Sequence, residues 1–135
     1  MRFSLDEWTL RLHELRFDDE RYPALAATCR EPIWDLTAQV VATDSSVVLD
    51  WNMWSRDRRA DAVQRAAALD VPVHLHYLVL AVEVAVQRAE RRRDPHAHSL
   101  DASAVRHLAG LFEPPAATEG FSLHIVDDDD RPVSR

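Results

Sequence analysis

Two carboxylates stand where short apolar runs end. Asp50 closes Val47-Val48-Leu49, and Asp6 lies just past Arg2-Phe3-Ser4. In open parallel sheets, ligands bind beyond the carboxyl ends of the strands. An acid directly after such a run can hold Mg²⁺, usually through water, and a second acid nearby can accept a proton from a substrate hydroxyl. Both residues would serve equally as helix N-caps or loop acids, and the pattern leaves the two readings open. Trp51 and Trp54 flank Asn52 just beyond Asp50. They are the tryptophan pair best placed to line a pocket, although core or rim packing is the commoner use of tryptophan.

Basic residues offer a second kind of chemistry. Arg88, Arg91, Arg92 and Arg93 crowd the end of one helical stretch, and spacing puts Arg88, Arg91 and Arg92 near one face. Such a face can clamp phosphate bidentately. Cations at a helix C-terminus are also favourable without any ligand. The histidine pairs His74/His76 and His96/His98 raise a metal reading, since strand residues two apart share a face. No cysteine cluster or H-E-x-x-H helix accompanies them, and loop or half-buried histidines explain them more simply. Asp127 to Asp130 is a solvated acidic run without the spacing of a calcium loop.

The elements that must position these groups follow from periodicity. Arg2-Phe3-Ser4 reads as a strand running into a helix with Leu5, Trp8, Leu12 and Leu15 on one face. A second helical pattern carries Ala26, Cys29, Ile33, Leu36 and Val40, with Pro32 either kinking it or starting a fresh helix. Val47 to Asp50 reads as a strand buried on both faces. Ser55 is placed to cap the next helix, which turns Val63, Ala66, Ala67 and Leu69 inward. Val73 to Leu78 is a strand, Val82 to Arg93 a helix, and Asp101 caps a short helix stopped by Pro114-Pro115. Ser122 to Val126 is the last strand. Strands separated by crossover helices imply an α/β fold with a parallel sheet. Residues 1–126 form one domain in this reading, and 127–135 a charged tail.

Composition narrows the field. The 135 residues carry a net charge of −7, 47% hydrophobic and 29% charged side chains. These values fit one ordinary globular domain and argue against an autonomous nucleic-acid binder. The single Cys29 excludes an internal disulfide and suits a reducing cytosol, so a cytoplasmic location is expected. No apolar run is long enough to span a bilayer. There is no lysine, and Gly110 and Gly120 are the only glycines. A phosphate-binding loop G-x-x-x-x-G-K-[ST] therefore cannot exist within this sequence, and neither can a G-x-G-x-x-G fingerprint.

Four stretches together resemble a known family. They are Arg2-Phe3-Ser4-Leu5-Asp6-Glu7-Trp8, Val47 to Arg59, His74-Leu75-His76-Tyr77-Leu78, and Phe112-Glu113-Pro114-Pro115. In order, over nearly the whole chain, they are similar to the AAA-type P-loop small-molecule kinases, relatives of zeta toxins and chloramphenicol phosphotransferases. The resemblance implies ATP and Mg²⁺ as cofactors and phosphoryl transfer to a small-molecule acceptor. It implies Asp6 as substrate-contacting acid or general base and Asp50 as the Walker-B-type carboxylate near Mg²⁺. Arg88 and Arg92 would be lid arginines facing the transferring phosphate, with Arg88 also on the nucleotide. Asp6, Trp51, Asn52 and Trp54 would meet the acceptor. The expected fold is a three-layer parallel sheet lacking the family's first strand, phosphate loop and first helix. In the family that strand lies inside the sheet, so a closed gap would pair the Val47 and Val73 strands directly. Two readings follow: a truncated kinase domain, inactive or dependent on a separately supplied phosphate-loop segment, or a non-catalytic binding or regulatory module, such as a homodimer, reusing the fold. Neither calls for nucleic acid or membrane.

Overall fold

The computed structural model describes residues 1–13, 19–92 and 100–127. The described chain divides into two compact units, residues 1–52 and residues 53–92 with 100–127. Arg93, the His96/His98 pair and the charged tail from 128 onward lie outside the described residues.

In the first unit, β1 (Arg2–Ser4) passes directly into α1 (Leu5–His13), followed by α2 (Tyr22–Val41) and β2 (Val48–Asp50). Asp6 and Glu7 in the first turn of α1, and Arg11 and His13 in its last, oppose the helix dipole favourably. Burial selects Leu5 and Thr9, whereas Leu12, expected inside, is 63% exposed. The inward face thus runs at a spacing of four, and the Thr9 hydroxyl is satisfied by donating to the Leu5 carbonyl at 2.8 Å. Helix α2 is continuous through Pro32. Its stripe of Ala26, Cys29 and Ile33 is buried while Pro32 faces solvent, so packing on one side outweighs the missing amide on the other. Phe3 completes this core, edge-on to Trp8 at 6.0 Å.

The second unit contains α3 (Arg56–Ala68), β3 (His74–Val79), α4 (Val82–Arg91), α5 (Ala102–Gly110), a 3₁₀ turn (Ala117–Glu119) and β4 (Ser122–Asp127). Ser55 and Asp101 cap α3 and α5 as expected, accepting from the backbone amides of Arg58 and Ala104. The inner face of α3 is Arg59, Ala62 and Ala66; of the expected Val63, Ala66, Ala67 and Leu69, Ala66 is buried, Val63 and Leu69 are half-buried and Ala67 is exposed. Gly120 adopts φ +89°, and a Cβ there would come within 3.2 Å of Val63 Cγ1. A left-handed backbone and close approach together call for glycine at this point.

All four strands fall where the sequence places them, and both pairings are parallel. Among the described residues, the ladders are two-stranded and the expected three-layer sheet is not shown. β1 pairs with β2 and β3 with β4, giving two separate two-stranded sheets, with the Val47 and Val73 strands in different ones. Each strand finds its one partner inside its own unit. Parallel sheets are normally covered on both faces, yet Val48, Leu78 and Ile125 are 59%, 62% and 64% exposed. Among the described residues, no helix is long and apolar enough to cross a membrane.

Candidate functional site

The β1–β2 register sets Ser4 opposite Asp50, at the carboxyl ends of both strands. Asp6 follows two residues later in the first turn of α1. The ladder thus brings the two predicted acids to the same end of one parallel pair, where α/β folds place their ligands. The two carboxylates have different surroundings. Asp50 accepts two hydrogen bonds from Arg2, whose remaining nitrogen Nη1 donates to Glu7 Oε1 at 3.0 Å. Both acids hold the Arg2 guanidinium above its usual ionisation range, the Asp50 bond most strongly. Arg2 and Asp50 are about half exposed, so this pair contributes little stability.

Asp6 accepts instead from the phenol of Tyr22, the first residue of α2, at 2.5 Å. Burial, and then the bond to Asp6, push the Tyr22 phenol well above its usual range. Tyr22 therefore remains a donor across all physiological pH. It fixes the orientation of a carboxylate that sequence patterning singled out without naming a partner. Tyr22, Arg2 and Glu7 were not legible as site residues. The 2/50 pairing depends on register, and the 6/22 pairing depends on how α1 packs on α2.

Mg²⁺ is a hard cation that takes oxygen donors, often only one or two carboxylates beside water and substrate phosphates. Asp50 and Glu7 fit that chemistry, because both already hold one cationic group, Arg2, between them. Among the described residues, no group of three or more His, Cys, Asp and Glu side chains is arranged to hold a metal ion by itself. The triphosphate finds no such fit, since neither glycine-rich loop nor lysine is present.

Trp51 and Asn52 follow Asp50 in the first unit, whereas Trp54, Arg88 and Arg92 belong to the second. Trp51 packs edge-on to Trp34 at 5.9 Å, beside the core of the first unit. Asn52 is exposed at the end of that unit. Trp54 belongs to the second unit, where the Arg58 guanidinium lies 5.0 Å above its ring. Arg88 is exposed on α4, but Arg92 is the C-cap of that helix, with extended backbone at ψ 130°. The expected helical face joining Arg88 and Arg92 therefore ends before Arg92. The chain leaves the helix after Arg91, so 3.6-residue spacing no longer aligns them.

One arginine of the Val47–Arg59 stretch is built into the interior. Arg59, 2% exposed, donates to the Met53 and Glu113 carbonyls at 2.9 Å and to both carboxylate oxygens of Glu119. Glu113 in turn accepts from the Arg56 amide and donates its own amide to the Trp54 carbonyl. Arg59 thereby ties the segment that follows Asn52 to the turn that precedes β4. The available signal was Glu119-Gly120, which holds one of only two glycines in the chain.

No curated protein matches the sequence at a significant level. The sequence model of the AAA domain family AAA_33 matches residues 1–115, most of the chain. The ordered acids of the β1–β2 ladder and the Arg59-anchored segment both fall inside that match, and the chain belongs to this family of P-loop, kinase-like AAA domains.

Proposed function

We propose that this chain is the acceptor- and metal-side portion of an ATP-dependent small-molecule kinase, with the phosphate-gripping loop supplied by a segment outside these 135 residues. The observation that supports the reading is the placement of Asp6 and Asp50 at the same end of one parallel ladder, in a chain of this family. Asp6 accepts the proton of the acceptor hydroxyl, and Tyr22 holds its Oδ1 in place meanwhile. Asp50, with Glu7 beside it, is the carboxylate toward which Mg²⁺ would be drawn, and the ion would neutralise charge on the transferring phosphate. Trp51 and Asn52, which follow Asp50 in the same unit, bound the acceptor. The roles of Arg88, Arg92 and Trp54 rest on the family resemblance alone.

The two open ladders support dependence on a further segment or partner. Val48 and Leu78 project from parallel strands into solvent, where such strands normally carry cover. Calorimetric titration of the isolated chain with ATP and Mg²⁺ tests the reading, and no saturable binding in the micromolar range is expected. Supplying a strand–loop–helix segment with a G-x-x-x-x-G-K-[ST] loop should restore binding and phosphoryl transfer, and Asp6→Asn should then abolish transfer while sparing ATP affinity. Micromolar Mg²⁺-dependent ATP binding by the chain alone overturns the proposed division of labour. A restored complex in which Asp6→Asn transfers phosphate normally overturns the role of Asp6.

A further inference from the structure

Three imidazoles meet on one face of the β3–β4 ladder. His74 and His76 are two residues apart on β3 and share a face. The register sets His124 of β4 directly opposite His76. His74 Nδ1 lies 3.0 Å from His124 Nε2. The His74 and His76 rings stack on His124, with centroids 5.2 and 4.9 Å away. All three side chains are exposed.

A neutral imidazole carries one N–H and one bare nitrogen. The short contact therefore places one hydrogen between two nitrogens that would otherwise present lone pairs to each other. Tetrahedral Zn²⁺ with Zn–N bonds of about 2.0–2.1 Å separates its ligand nitrogens by about 3.3–3.4 Å. An opening of a few tenths of an ångström, with rotation of both exposed rings so that their lone pairs turn off the N···N line toward a common point, turns the hydrogen bond into a chelate. The proton between the rings moves to the far nitrogen of the donating ring, so both imidazoles bind as neutral ligands and no net proton is lost.

We propose that His74 and His124 form a chelating site for Zn²⁺, completed by water, which staples β3 to β4. As the side chains stand, no three donors among the described residues converge on one ion. His76 joins as a third ligand only by rotating away from its stack, which its exposure allows. Imidazole favours borderline transition cations over Mg²⁺. The site lies in the second unit and Asp50 in the first, and the proposal does not rest on the kinase reading.

The test uses the full chain without a histidine tag, titrated with Zn²⁺ alone at pH 7.5. One ion per chain and a rise in unfolding temperature that EDTA reverses are expected, because an ion bound only by the folded ladder stabilises it. His74→Asn and His124→Asn should each weaken binding by about 100-fold, as the chelate falls to single imidazoles. His107→Asn, on α5, should leave it unchanged. Non-saturable binding, or unchanged affinity in His124→Asn, overturns the proposal. Should a ladder variant fail to fold, Cu²⁺ on the wild-type chain replaces it. A paramagnetic resonance spectrum showing two or more imidazole nitrogens supports the chelate, and one showing a single nitrogen overturns it.

Discussion

The first unit fills its interior with Phe3, Leu5, Cys29 and Ile33 and leaves the Arg2, Glu7 and Asp50 charges at the surface. The second buries Arg59 as well as Ala62, Ala66 and Phe121. The same pairing of arginine with carboxylate therefore does different work in the two. Where Arg59 meets Glu119, side chains 1% and 16% exposed, each guanidinium nitrogen donates to a carbonyl or carboxylate, and the pair organises a turn. Where Arg2 meets Asp50, at 54% and 52% exposure, water competes for both partners and the carboxylate can exchange one cation for another. Burial marks the structural arginine, and exposure marks the acid available for chemistry.

The strongest way to break this contrast is truncation of the two interiors. Arg59→Ala strands Glu119 and two backbone carbonyls, and should cost about 3–5 kcal/mol in chemical denaturation. Ile33→Ala in the first unit leaves only a cavity, and should cost about 2–5 kcal/mol. Arg59→Met should recover part of the loss, because it restores volume without charge. If Arg59→Ala is instead nearly silent, the second unit is not organised around the guanidinium.

Acid provides a finer cut. The Arg59 hydrogen bonds hold the Glu119 carboxyl below its usual range. Between the folded and the ordinary value the unfolded chain binds more protons, so stability rises with pH there. The contribution of Glu119 is present above the ordinary carboxylate range and is lost as pH falls through the depressed folded value. Glu119→Gln should flatten that part of the stability profile, as read by denaturation at a series of acidic pH values. An unchanged slope would separate Glu119 from Arg59.

The smallest effect is expected at the surface acid. Asp50→Asn should alter folding stability by less than about 1 kcal/mol, since exposed pairs contribute little. With a phosphate-loop segment supplied, the proposed role of Asp50 predicts that the same variant weakens the Mg²⁺ dependence of nucleotide binding. A large folding loss in this variant would make Asp50 structural and remove the distinction between the two arginine–carboxylate pairs.

Much of the local structure was legible because its causes are local. Val48–Asp50, His74–Val79 and Ser122–Asp127 are extended where apolar or alternating runs stand between polar breaks. Ser55 and Asp101 cap helices through side-chain oxygens only three residues from the amides they accept. Asp6 and Asp50 were identifiable as candidates because each follows a strand. Periodicity misread the faces where burial overrode it: Leu12 and Ala67, expected inside, face water, while Thr9 and Arg59, which apolar spacing passes over, are buried; at Pro32 the continuous α2 excludes only the fresh helix start.

By itself, then, the amino-acid order determined which stretches become strands and helices, which acids end the strands, and that no phosphate loop lies within these residues. Those properties depend on near neighbours and on composition. Only the tertiary structure decided that Arg2 would bridge Asp50 and Glu7, that Tyr22 would orient Asp6, that Arg59 would find Glu119, and that His124 would join His74 and His76. Five of these contacts span from 16 to 60 residues, and the bridge from Arg2 to Glu7 gains its meaning from the distant Asp50. Such partners are set by strand register and helix packing, which no short window of sequence contains.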